Sequence, residues 1–127
     1  MKPIRRKVLL LDRNPASKSI LRKALEGAGY TVWDAANGLR LVSRLDVDRP
    51  DVVVMDTGQA WTDCFDLCRS LKTSSRFKDV RVLLLADDGE QSERARIACC
   101  DRRMPRNPEA SALLDAIRDL LEVPSDR

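Results

Sequence analysis

Two aspartates, Asp12 and Asp56, each close a short apolar run: Val8 to Leu11 (VLLL) leads into the first and Val52 to Met55 (VVVM) into the second. Carboxylates delivered at two strand ends can bind a divalent cation through oxygen or accept a phosphoryl group. The plainer alternative is that each only begins a turn or caps the next helix. Histidine cannot assist them, because the 127 residues contain none. Histidine general bases, Ser-His-Asp triads, histidine-ligated metals and phosphohistidine chemistry are thereby excluded. Any chemistry must run on carboxylates, Lys, Ser/Thr or Cys. The four cysteines, Cys64, Cys68, Cys99 and Cys100, are spaced C-x3-C and C-C, which are not the spacings of common zinc sites. Reduced, partly buried thiols are expected, with Cys64 and Cys68 one helical turn apart on a single face. A redox role is the minor alternative.

The remaining composition frames this chemistry. Lys and Arg number 23 against 20 Asp and Glu, a net charge of +3, and 43% of residues are hydrophobic, enough to close one core. One domain is expected over residues 1–127, with its core at about 6–122 and with 123–127 a tail or the start of a linker. A charge this small does not argue for nucleic acid. The basic start, Lys2 to Lys7, is interrupted by Pro3 and Ile4 and reads as a solvated tail. No apolar run approaches the roughly 18 residues that span a bilayer, and no signal-peptide pattern opens the chain, so a cytoplasmic location is expected.

The elements that must position the aspartates follow from periodicity. Val8 to Leu11, Val52 to Met55 and Val82 to Ala86 are continuous apolar runs, as parallel strands covered on both faces require. Tyr30 to Trp33, after the Gly27-Ala28-Gly29 break, is more amphipathic and belongs nearer an edge. Asn14-Pro15 starts a first helix with the stripe Ile20, Leu21, Ala24, Leu25 and Ala28. Leu41, Val42 and Leu45 mark a second helix after Asn37-Gly38, and Cys64, Leu67, Cys68 and Leu71 a third. Glu90 to Cys99 is a weaker fourth. Asn107-Pro108 opens the last, with Leu113, Ala116, Ile117, Leu120 and Leu121 on one face and Pro124 ending it. Asp101 to Pro105 (DRRMP) fills the place of a fifth strand, although it is short and carries two arginines. The alternation is α/β, (βα)5, and right-handed crossovers make it a doubly wound parallel sheet. Function in such sheets gathers beyond the carboxyl ends of strands, where the winding reverses.

The chain resembles the receiver domain of two-component response regulators, the flavodoxin-like fold of the chemotaxis regulator. The resemblance runs from about Arg6 to Glu122. It is carried by V-L-L-L-D (Val8 to Asp12), R-P-D-V-V-V-M-D (Arg49 to Asp56), Asp63 seven residues after Asp56, and F-D-L-C-R-S-L-K (Phe65 to Lys72). The family's strand order, 2-1-3-4-5, puts the reversal between strands 1 and 3 and so joins Asp12 and Asp56 in one acidic notch. The resemblance implies that Asp56 corresponds to the phosphoacceptor and Asp12 to a Mg²⁺-binding acid.

Departures from the pattern are as informative. Arg13 stands where the family has a second acid. Ala86 stands at the hydroxyl residue that holds the phosphoryl group, and Met104-Pro105 best matches the Lys-Pro whose lysine contacts the phosphoryl oxygens. The M-P-x-x-D-G loop keeps only its acid, Asp63, and the aromatic readout of strand 5 is absent, with Arg102 and Arg103 nearby. Phosphorylating an aspartate needs a cation to neutralise charge and fixed donors around the phosphoryl oxygens. Exchanging an acid for Arg13 changes the notch by two charge units, several kcal/mol at about 6 Å and an effective dielectric of about 20 to 40. At about 1.4 kcal/mol per tenfold, ordinary Mg²⁺ binding is expected to be weak or absent. Arg13 can pair with Asp12 or Asp56 and supply the missing positive charge, or turn outward to solvent.

The expectation is a pseudo-receiver: a non-enzymatic module that binds a protein without phosphorylation, Mg²⁺ or any other cofactor. The face of the fourth and fifth helices and strand 5, which the family uses for partners or homodimers, carries Arg94, Arg96, Arg102, Arg103 and Arg106, a docking surface for an acidic partner or otherwise a solvated face. One rival is a working receiver that takes phosphate on Asp56 from a histidine kinase. Another is a DNA-directed regulator acting through an output domain.

Overall fold

A computed structural model describes residues 6–12, 15–58, 61–87, 89, 93–94 and 100–122. Five strands, β1 (Lys7–Leu11), β2 (Thr31–Ala35), β3 (Val52–Asp56), β4 (Arg81–Leu85) and β5 (Arg102–Met104), form one parallel sheet in the order β2-β1-β3-β4-β5. The helices described are α1 (Pro15–Gly27), α2 (Gly38–Asp48), α3 (Trp61–Thr73) and α4 (Ala110–Glu122). This is the doubly wound receiver fold that the sequence leads one to expect, with the Tyr30 to Trp33 run forming most of edge strand β2.

Continuous apolar runs are explained by what covers them. Leu9, Leu11, Val53, Met55, Val82 and Leu84 point to one face, where Leu41 and Leu45 of α2 and Phe65, Cys68 and Leu71 of α3 close over them. Val8, Leu10, Val52, Val54, Leu83 and Leu85 point to the other, against Leu21 and Leu25 of α1 and Leu113, Ile117 and Leu120 of α4. A strand that alternates between two apolar layers has no polar side to show. Most of these side chains are fully buried, each contributing about 1.5–3 kcal/mol of transfer free energy. Cys64 and Cys68 are buried free thiols in the first layer, as their helical spacing suggests.

Polar contacts fix the ends of elements. Asn37 caps α2, its Oδ1 accepting from the Arg40 N–H at 2.9 Å. Lys72, near the end of α3, donates to the carbonyls of Lys78 (2.9 Å) and Val80 (3.2 Å) and to Asp101 Oδ2 (2.9 Å). All three ammonium donors are thus used. Asp101 Oδ2 also accepts from the Val82 N–H at 2.7 Å, which ties the entry to β5 onto β4. Arg22 of α1 pairs with Asp34 of β2 and with Glu26.

Two boundaries differ from those read in the sequence. Asn107 does not cap the last helix: it adopts φ 57, a left-handed conformation that asparagine tolerates, and α4 begins at Ala110. The fifth strand is formed, but only Arg102, Arg103 and Met104 pair, with Leu83, Leu84 and Leu85. The expected helix from Glu90 to Cys99 and the Asn14 cap lie outside the described residues, apart from helical Glu93 and Arg94.

Candidate functional site

The register of β1 against β3 pairs Leu11 with Met55, so the next residues, Asp12 and Asp56, emerge together at the carboxyl edge where the winding reverses. Both are buried, at 2% and 8% exposure. The two carboxylates are near enough for Asp12 to act on Asp56. Arg13, expected either to neutralise the notch or to face solvent, lies outside the described residues, as does the side chain of Asp63.

A different arginine reaches the notch. Arg106, two residues past β5, places Nε 2.8 Å from Asp56 Oδ1. Its Nη1 lies 3.9 Å from Asp87 Oδ2, on the segment that leaves β4. Sequence reasoning grouped Arg106 with the arginines of an outer docking face, whereas the structure turns its guanidinium inward. The signal was present: the chain leaving β5 opens onto the same carboxyl edge as Asp12 and Asp56, so a cation there is as well placed as Arg13. Its weight was missed because periodicity cannot tell an inward from an outward side chain in a loop.

Electrostatics in the notch pull in two directions. Burial pushes the Asp56 carboxyl above its ordinary range, and the neighbouring Asp12 adds to this, while Arg106 and the Gly58 N–H pull it down. The hydrogen bond to Asp56 makes Arg106 hold its own proton more tightly, with Asp87 and Asp12 contributing. Gly58 bends the chain beneath the pair with φ 43. A Cβ there would stand 3.6 Å from Arg106 Nη2 and 3.7 Å from Asp56 Oδ1, ordinary contacts, so glycine serves the backbone turn rather than the space.

Around this pair the remaining groups are engaged in structure. Thr57 donates its hydroxyl to the Leu85 carbonyl at 2.8 Å and is wholly buried. Ala86, at the hydroxyl position of the family pattern, donates its N–H to the Met104 carbonyl at 2.8 Å. The Ala86 carbonyl accepts from Arg103 Nη1 at 2.7 Å. Met104 packs against the α1–α4 apolar layer and offers no cation where a lysine would stand. A guanidinium covers Asp56 Oδ1, and among the described residues no cluster of three acidic, histidine or cysteine side chains is placed to hold a metal ion. Of the other surface arginines, Arg102 is exposed and 3.8 Å from Asp119 of α4, Arg94 is exposed, and Arg96 lies outside the described residues.

Comparisons with known proteins agree with this architecture. The family model of the response regulator receiver domain matches residues 8–106. The response regulator MprA of Mycobacterium ulcerans (strain Agy99) is 29% identical over 115 residues, 91% of this chain and 50% of that protein. Its counterpart in Mycobacterium leprae (strain TN) is similar to the same extent, so the chain spans about half the length of these relatives. Among solved structures, the signal receiver domain of a histidine kinase from Syntrophus aciditrophicus superposes with a TM-score of 0.80 at 23% identity, covering 95% of this chain and 96% of that one. The Vibrio cholerae chemotaxis regulator CheY4 superposes with a TM-score of 0.83 at 21% identity, covering 93% and 100%. With the family's sheet, its paired strand-end aspartates and its sequence model all present, the chain belongs to the response regulator receiver domain family.

Proposed function

We propose that this receiver domain is a pseudo-receiver, a protein-binding module whose notch is neutralised from within by Arg106 rather than by Mg²⁺ and a phosphoryl group. The observation that carries the reading is the 2.8 Å contact between Arg106 Nε and Asp56 Oδ1 on a carboxylate side chain only 4% exposed. Aspartyl phosphorylation needs a carboxylate oxygen free to attack phosphorus, a cation for the transferring group and donors around its oxygens. Here one oxygen of Asp56 is held by a guanidinium. Ala86 and Met104 stand where a hydroxyl and an ammonium would have supplied the donors.

The expected partner is a protein, met in the cytoplasm on the face of β5, α4 and the segment before β5. Arg102 and Arg94 are exposed there. Replacing Arg102 with Glu weakens capture of an acidic partner if this face is used, and unchanged capture removes it from the reading. A DNA-directed role finds no support in a net charge of +3.

A second reading, a working receiver, is favoured by the intact pair Asp12 and Asp56, with Arg106 serving the phosphoryl oxygens in place of lysine. One experiment separates the two. The protein is treated with Mg²⁺ and either beryllofluoride or a small phosphodonor, and mass and amide spectra are followed beside an Asp56→Asn control. The pseudo-receiver reading expects no adduct and no shifts. Mass gain and shifts confined to the wild type establish the working receiver instead.

A further inference from the structure

We infer that the outer face of α2 and α3 binds a second copy of this chain about a two-fold axis, whatever the state of the notch. The face combines a protruding knob with a hole. Leu39 is 81% exposed and Val42 49% exposed on the solvent side of α2, and Val47, 73% exposed, continues the strip two turns on from Leu39. Beside them lies a groove of about 540 Å³ lined by Gly38, Leu39, Val42, Asp66, Leu67 and Ser70 among others. Gly38 lines it: a Cβ there would sit 2.8 Å from Leu67 Cδ1, so glycine lets this α3 side chain lie against the start of α2 without shifting.

Self-complementarity selects the occupant. The same patch carries both signs of charge, Arg40 next to Leu39 and Asp66 in the groove wall. Neither has an ion pair among the described residues, whereas the neighbouring Arg44 pairs with Asp48 and Asp46 with Arg76. An isologous contact needs one patch to supply each feature and its complement, so that residue i meets j and j meets i. A two-fold axis here seats Leu39 of each copy in the groove of the other and sets Arg40 against Asp66 of the second copy. A second copy brings each feature and its complement on the one surface. The two helices lie on the face opposite α1 and α4, so this contact and a partner on α4 can coexist.

The test is sedimentation velocity on the 127-residue chain from about 1 μM to about 1 mM. A concentration-dependent monomer–dimer equilibrium is expected. Leu39→Glu, at a site exposed enough to leave the fold intact by circular dichroism, raises the dimer dissociation constant by about tenfold or more. Arg40→Asp and Asp66→Arg each weaken the dimer alone and restore it when combined, because the swap rebuilds the pair across the axis. A chain that stays monomeric throughout overturns the inference. So does a dimer that Leu39→Glu leaves unchanged, or a double swap without rescue.

Discussion

Arg106→Gln tests the notch most directly, because the glutamine amide nitrogen falls where arginine Nε donates to Asp56 and keeps a hydrogen-bond donor while removing the charge. A full charge pair about 4 Å apart at an effective dielectric of about 20 attracts by about 4 kcal/mol. Arg106 retains 31% of its exposure, so water screens it, and the pair must also repay desolvation of Asp56. A net coupling of about 1–3 kcal/mol is left. In a domain of this size each kcal/mol moves Tm by about 4 °C. The pH dependence carries a second signature. Burial holds Asp56 above the ordinary carboxylate range in the folded state, so the native protein binds its proton more tightly than the unfolded chain. Stability therefore falls as pH rises from the unfolded value through the folded one, and acidification through that window restores it. Arg106→Gln removes the largest influence pulling the carboxyl down, so the loss deepens and extends to higher pH. Asp56→Asn abolishes that pH dependence and, in the Arg106→Gln background, recovers the stability lost at neutral pH. The assay is urea unfolding of wild type, both single variants and the double variant between about pH 4 and pH 8, read as a double-mutant cycle. If Arg106→Gln costs Asp56→Asn as much as it costs the wild type, the two side chains are not coupled and the internally neutralised notch is refuted.

Further expectations concern the supports of the site. Lys72→Met removes the ammonium that pairs with buried Asp101 and costs about 2–4 kcal/mol in urea unfolding, whereas a surface lysine variant such as Lys78→Met stays within about 0.5 kcal/mol. Asn37→Ala removes the α2 cap and lowers stability by about 1 kcal/mol, with Asn37→Asp close to wild type. Thiol titration in the native state leaves Cys64 and Cys68 unreactive until unfolding, and Cys100 reacts slowly because burial raises its thiol above the usual range.

The sheet was legible because its evidence is local and redundant. Continuous apolar runs such as Val82 to Ala86 (VLLLA) admit little but a strand covered on both sides, and the family's motifs then order the strands. Asp12 and Asp56 were legible for the same reason, since a strand's last residue has nowhere to go but its carboxyl edge. Arg106 was not. It stands before a left-handed Asn107, which the Asn-Pro pair disguised as a helix cap, and it meets the opposite charge of Asp56, fifty positions earlier in the chain. Side-chain direction in loops is decided by long-range charge, which spacing does not encode.

The shortness of β5 has a consequence for how this domain meets other molecules. An exposed edge of a parallel sheet is a template on which a foreign strand can add by backbone hydrogen bonding, the route to runaway association and fibrils. Here that edge offers only three residues, and two of them are arginines, one linked to α4 and the other bound to the Ala86 carbonyl. A strand approaching it finds too few open amides and two bulky charges. Recognition at this edge is thereby steered away from main-chain pairing and onto side chains, where a sequence can discriminate one partner from another.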